Sequence, residues 1–357
     1  MKKVTPTFWP RSVALPPWAL ACIALTSALG QAAPYPNSSE KPVEKIVFGS
    51  CSRQDREQPL WKVIRAAKPD VMLMIGDNIY ADTDDPKVFR EKYDKLAAQR
   101  DFQELRESTP ILATWDDHDY GRNDGGGEFP AKAISKQEFM RFWGFPSSSE
   151  LASRDGIHHA VTFGPTGRRV QFLLLDTRSF RGPLKKEAKG YVPVEDPHST
   201  FLGAAQWKWL EDELQKPADL RILVSSIQLV SSNHPFEKWE NLPLEKKRLL
   251  DLIQKTKAQR LLVISGDRHH GEISKLPAKI TGFYDLYDFT SSGMTEKSRG
   301  TNHEKNPWRV GADKPFVGTQ WGEILIHWDA QPAPTVDLIL RDQNNVVVSA
   351  AQVAFPR

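Results

Sequence analysis

Four apolar runs in this chain end in turns crowded with metal-binding groups. KIVFGSC closes on Cys51, VMLMIGDNIY on Asp77 and Tyr80, ILATWDDH on Asp116, Asp117 and His118, and RLLVISGDRHH on Asp267, His269 and His270. Short apolar runs bounded by turn residues read as strands buried on both faces. Sites in open α/β sheets form beyond the carboxyl ends of such strands, so the pattern calls for a fold that gathers those ends. Crowded carboxylates repel one another and cost stability unless positive charge sits among them.

Helical stretches separate the runs, over residues 58–67, 87–106, 204–215 and 244–256. Another runs to Trp143, with Ser135 and Glu138 spaced as a capping box that would open it. RVQFLLLD and LRILVSS add strands, and toward the C-terminus the pattern turns to strands alone: YDLYDFTSS, GEILIHW, TVDLILRD and VVVSAAQVAF. Alternation followed by strands predicts an α/β (α+β) fold, a four-layer α/β/β/α sandwich of two mixed sheets flanked by helices.

The N-terminus differs from the rest. Lys2, Lys3 and Arg11 precede the apolar WALACIALTSALG, and a small, polar QAAPYPNSS follows. That order predicts a signal peptide over 1–33 and a periplasmic or secreted protein. The apolar run falls short of the ~20 residues of a membrane span, so no transmembrane anchor is expected after processing. Residues 34–43 read as a linker and 44–357 as one domain.

Losing the three basic leader residues leaves 45 basic and 45 acidic side chains, a balance that argues against a dedicated nucleic-acid partner. Cys22 falls in the leader, so Cys51 alone remains and a disulfide within the mature chain is excluded. A lone thiol in an oxidising compartment is either a small buried hydrophobe or a metal-bound thiolate.

Taken singly, these residues have ordinary explanations: Asp77 as a helix cap, Tyr80 as packing, His269 and His270 as plain imidazoles. Their shared position after apolar strands points instead to a metal centre. Cys51, Tyr80 and His269 with Asp77 suit Fe3+, whose charge keeps thiol and phenol deprotonated. Asp117 and Asp267, sharing Asp77, form an all-oxygen set suited to Ca2+ or Mg2+. Zn2+ or Mn2+ in both positions is the alternative. Two cations ~3.5–4 Å apart bind a phosphate ester and generate hydroxide, and His118 stands where it can assist the leaving oxygen.

FGSCS (48–52), GDNIYAD (76–82), WDDHDYGRNDGG (115–126), LLLDTRSFR (173–181) and SGDRHHGE (265–272) together resemble the motif series of the alkaline phosphatase D (PhoD-like) family of metallophosphoesterases, over about residues 45–328. Their order is also similar to that of purple acid phosphatases, with GD, then Tyr, then GNHE, then GHxH. The resemblance implies Asp77 as the bridge, with Tyr80 and His269 on iron and Cys51 replacing an aspartate there. Asp117 stands for the asparagine of GNHE and Asp267 for the first histidine of GHxH, which makes the second site rich in oxygen. His118 would serve the leaving group, and Asn123 and Arg178 would contact phosphate. Asp119 replaces the glutamate of the more common DDHE form.

One more ligand is expected within SSIQLVSSNH (225–234), with Gln228, a serine and His234 all open. Residues 125–127 and 182–200 are expected to edge the site. The implied activity is metal-dependent hydrolysis of phosphate monoesters, diesters or both, phospholipid among the possible substrates. The alternative is a noncatalytic exported metal- or glycan-binding protein, with Trp308, Trp321 and Trp328 forming a platform.

Overall fold

The structure, a computed structural model, describes Met1 and residues 34–298, 304–331 and 333–355. Apart from Met1, the signal peptide expected over 1–33 lies outside the described residues. The chain begins with strands β1 (Lys45–Gly49), β2 (Val71–Ile75) and β3 (Ile111–Thr114), connected through helices α1 (Leu60–Ala67), α2 (Pro86–Ala97) and α3 (Arg100–Ser108). A one-turn α4 (Asp117–Tyr120), α5 (Lys132–Trp143) and a short α6 (Glu150–Ser153) lead to β4 (His159–Phe163) and β5 (Val170–Leu174).

A hairpin of β6 (Lys185–Glu187) and β7 (Gly190–Val192) precedes α7 (Gly203–Leu214), β8 (Leu220–Val224), α8 (Pro243–Thr256), β9 (Leu261–Ser265) and β10 (Gly271–Leu276). The remainder is α9 (Ala278–Thr281), β11 (Leu286–Ser291), β12 (Arg309–Val310), β13 (Gln320–His327), β14 (Thr335–Asp342) and β15 (Val347–Ala354).

Two mixed sheets result, as the pattern predicts. One runs β15-β14-β13-β1-β2-β3, the other β12-β10-β11-β9-β8-β5-β4. β1, β2 and β3 are parallel, as are β5, β8, β9 and β11, and antiparallel strands complete each sheet. Phe48 of β1 meets Phe289 of β11 edge-on at 4.8 Å between the sheets.

Strand periodicity explains the layering. Phe172, Ile222, Leu262 and Ile264 face the core shared with the first sheet. Their neighbours Leu173, Leu223, Leu261 and Val263 face a second core, closed by Trp207 and Leu210 of α7 and Leu249 and Ile253 of α8. Each fully buried aliphatic side chain contributes ~1.5–3 kcal/mol, so strands with apolar residues on both faces are held from both sides.

Local differences from the sequence reading have simple causes. The charged 87–106 stretch is two helices, broken at Ala98 and Gln99, and α2 opens on Pro86 with Asp85 accepting the Lys87 N–H at 2.8 Å. The capping box of Ser135 and Glu138 is absent. Both residues lie within α5, with Ser135 donating to the Tyr120 carbonyl and Glu138 paired with Arg90 and Arg141. Residues 34–43, expected as a linker, pack on the domain: Tyr35 is buried and stacks on Phe145 at 3.7 Å.

The Tyr35 hydroxyl accepts the Ala113 N–H at 2.9 Å and donates to His159 Nε2 at 2.6 Å, while His159 Nδ1 donates to the Ile157 carbonyl at 2.8 Å. This chain needs neutral imidazole, and burial pulls the His159 pKa down to about 4. The folded value lies below the unfolded one near 6.5, so stability is complete above that pH and is lost as pH falls through the folded value. Thermal unfolding should show a loss of about 3 kcal/mol from this residue on acidification from pH 6.5 toward 4. His159→Gln should flatten that part of the profile; an unchanged slope would contradict the chain.

Candidate metal centre

The carboxyl ends of strands from both sheets meet at one edge of the sandwich. Ser50 N–H donates to the Ser291 carbonyl beyond β11, and Cys51 N–H to the Gly76 carbonyl beyond β2. Thr114 at the end of β3 donates to the Leu175 carbonyl beyond β5 at 2.7 Å, joining the sheets there. Gly76, at φ +114°, permits a close approach, since a Cβ there would lie 2.6 Å from that of Asp116.

Asp119 fastens the turns after β2 and β3. Its Oδ1 accepts the N–H groups of Asp116 at 2.6 Å and Asp77 at 3.2 Å, and its Oδ2 accepts the N–H and side-chain amide of Asn78 at 3.1 and 2.5 Å. Its support of the site therefore runs mainly through backbone N–H groups of both turns.

The expected ligands come together. Single donor atoms of Cys51, Asp77 and His269 lie within 4.8 Å of one another, as do those of Asp77, Asp117 and His118, and those of Asp116, Asp117 and Asp267. Asp77 thus belongs to a thiol-imidazole group and to a carboxylate group at once. Tyr80 joins the first: its hydroxyl is 3.3 Å from Asp77 Oδ2 and 3.2 Å from His269 Nε2. Cys51, Asp77, Asp267 and His269 all take left-handed backbone conformations, with φ from 51° to 67°. Such geometry in residues other than glycine persists where surrounding structure imposes it, and it clusters at functional sites.

A cation fits this donor set. Buried oxygens Asp116 Oδ2 and Asp117 Oδ1 have no hydrogen-bond partner. Burial, and then repulsion from Asp117, pushes the Asp77 pKa well up, and burial followed by Asp116 and Asp117 does the same to Asp267. Burial and then Asp77 raise Cys51; burial, Cys51 and Asp77 raise Tyr80. Positive charge placed among these groups supplies what their anionic forms lack.

His118 lies against this cluster, its ring 4.1 Å from that of Tyr80. Its Nδ1 is 2.7 Å from Asp82 Oδ1, and since a carboxylate accepts, the proton sits on Nδ1. Burial opposes its charge, yet Asp77, the Asp82 hydrogen bond and Asp117 together raise its pKa to about 10.

The two expected phosphate contacts lie differently. Asn123 is exposed on the turn after α4. Arg178 is 1% exposed: Nε donates to Asp116 Oδ1 at 2.6 Å and Nη1 to Glu237 Oε2 at 2.5 Å. Its Nη2 has no hydrogen-bond partner but lies 3.9 Å from Asp117 Oδ1, so the guanidinium brings positive charge among these carboxylates.

Among the side chains open within 225–234, a serine reaches the site. Ser226 donates to Asp116 Oδ1 at 2.6 Å, whereas Gln228 donates to Glu272 and Thr290, and His234 joins none of the ligand groups.

Sequence reasoning missed several neighbours. Ser292 accepts the His269 N–H at 2.8 Å and lies 3.1 Å from the Cys51 sulfur. Glu237 groups with Asp117 and Asp124 within 4.8 Å, but it comes from a loop and carries no strand-end signal. Asp82, two residues beyond Tyr80 within a quoted motif, was the one that spacing offered. Of the expected edging loops, 182–200 forms the β6–β7 hairpin, whose Tyr191 donates to Asp124 Oδ2 at 2.7 Å.

The suggested tryptophan platform is core instead. Trp321 and Trp328 belong to the main core, and Trp308 packs on the second. No helix among the described residues is long and apolar enough to cross a membrane.

Comparison with known proteins agrees with this geometry. Alkaline phosphatase D of Bacillus subtilis (strain 168) is 19% identical, over 77% of this chain and 55% of that protein, so the chain spans about half the length of this curated relative. The solved structure of PhoD superposes with a TM-score of 0.67 at 18% identity, covering 90% of this chain and 73% of that one. A dimetal phosphatase from Danio rerio gives a TM-score of 0.53 at 12% identity, covering 88% of this chain and all of that one. These likenesses establish the fold. The family model for PhoD-like phosphatase matches residues 46–314, most of the chain, and so the chain belongs to the PhoD-like phosphatase family.

Proposed function

We propose that this chain is an exported metal-dependent phosphoesterase acting on phosphate monoesters, diesters or both. The observation that carries the reading is the placement of Asp77 in both the Cys51–His269 group and the Asp117–His118 group. Cys51, Asp77, Tyr80 and His269 would hold Fe3+, and Asp77, Asp117 and Asp267 would hold Ca2+, with Asp116 beside them. When bound, the cations supply charge to the phosphate oxygens and acidify water. The signal-peptide pattern of residues 1–33 supports export.

The chain's own residues do the rest. Asp82 holds the proton on His118 Nδ1 and orients the ring, leaving Nε2–H to protonate the departing oxygen. Asp119 fixes the turns that carry Asp77, Asp116 and Asp117, which keeps the donors spaced before substrate arrives. Arg178 acts as a positioning residue, holding Asp116 at one end and Glu237 at the other.

Turnover of p-nitrophenyl phosphate and bis-p-nitrophenyl phosphate by metal-replete protein with added calcium tests the activity; hydrolysis of neither would remove it. His118→Ala should lower turnover roughly 10²–10⁴-fold while metal content stays unchanged. A noncatalytic binder would be indifferent to that change.

The Tyr80 phenolate should give the iron-loaded protein a visible charge-transfer band. Tyr80→Phe should abolish it, and a colourless wild type with full iron content counts against the assignment. Arg178→Met should cost about 3–5 kcal/mol of thermal stability, because it strands Asp116 and Glu237 as buried charges. Unchanged stability with a raised KM would instead mark a direct phosphate contact.

A further inference from the structure

Away from the metal centre, α5, α6 and the segment before β4 line a cleft of about 660 Å³ together with Ser179 and Phe180. That volume lies within the usual range of small-molecule sites, ~300–1,000 Å³. None of the metal-centre donors lines it. Lys132, Lys136, Arg141 and Arg154 face it alongside a single carboxylate, Asp155, and Met140, Phe145 and Phe180 add apolar wall.

The charge here is unbalanced. Arg141 is paired with Glu138 at 2.7 Å, but the hydrogen bonds of the other three cations go to carbonyls. Lys132 Nζ donates to Gly127 and Ser179 at 3.2 and 3.5 Å, Lys136 to Arg154, and Arg154 Nη2 to His158. Of the residues lining the cleft, Arg154 keeps one guanidinium nitrogen, Nε, without a hydrogen-bond partner.

Burial lowers the pKa of both Lys136 and Arg154 by more than the nearby carboxylates, Asp155 for Lys136 and Glu150 for Arg154, raise it. Partly buried cations whose hydrogen bonds go only to carbonyls are costly, and an anion that accepts from them offsets that cost. The adjoining apolar wall favours an anion that also carries hydrocarbon.

We infer that this cleft binds an amphiphilic organic anion, its carboxylate or phosphate head among Lys132, Lys136 and Arg154 and its apolar body along Met140, Phe145 and Phe180. The site is independent of the hydrolytic reading, since it shares no donor with the metal centre.

Titration calorimetry on the full chain with decanoate and with hexylphosphonate, which resists hydrolysis, tests the two head chemistries, and neutral hexanol serves as the comparison. Saturable binding of at least one anion, but not of hexanol, is expected. Arg154→Met should weaken it roughly ten- to hundredfold, the loss of a hydrogen bond to a charged group. Lys132→Ala removes an exposed side chain and so keeps the fold; it should weaken binding severalfold with the melting temperature unchanged. Asp77→Asn should leave the affinity as it is. Absence of binding by both anions, equal binding of hexanol, unchanged affinity in both cleft variants, or loss in Asp77→Asn would each overturn the inference.

Discussion

Repulsion among the buried carboxylates of Asp77, Asp116, Asp117 and Asp267 is the constraint that the rest of the structure answers to. Arg178 is the guanidinium buried against this group, and it is shared with Glu237. Arg178 and the protonated His118 face these acids, yet burial and mutual repulsion still push Asp77, Asp116 and Asp267 up, so a cation-free protein keeps several of them protonated. The fold nevertheless holds this edge with hydrogen bonds from several elements. Asp119 collects hydrogen bonds from two turns, and the sheets are cross-linked at this edge through Thr114 and Leu175. A scaffold that is stiff where its charges are least balanced is built to receive cations rather than to form around them.

Much of this was legible in the sequence, because the signal is a conjunction of a strand and its ending. Apolar runs fixed the central strands by their burial on both faces, and β5, β8 and β9 alternate cleanly between the two cores. The ligand types at their ends were equally visible, since Cys51, Asp77, Tyr80, Asp117, Asp267 and His269 follow directly on those runs. Strands β4, β10 and β12 were harder: they are short or carry polar residues, and their pairing partners rather than their own composition define them.

The residues whose surroundings sequence reasoning could not foresee share a different property. Arg178 and Asn123 lie near the centre along the chain, yet their roles depend on which way a side chain turns, and periodicity says nothing of that. Arg178 turns inward to Asp116; Asn123 stays at the surface. Glu237 arrives from a loop whose course is set by tertiary packing around Trp239, buried in the second core. Serines were similarly opaque, since Ser226 and Ser292 differ from ordinary turn residues only in what they touch. Segment 34–43 misled for a related reason: its proline and serine content is that of a tether, while Tyr35 anchors it.

The left-handed backbone at Cys51, Asp77, Asp267 and His269 sets stability against function. Such a conformation costs most residues with a Cβ about 1 kcal/mol or more, less for aspartate and histidine, and glycine would relieve it. Drift selected only for a sturdier fold would therefore erase the donors one after another, and relatives that have abandoned catalysis should carry glycine at these four positions. The same strain offers a practical marker: in a homologous chain, a non-glycine residue retained at all four places signals that selection is still acting on the chemistry.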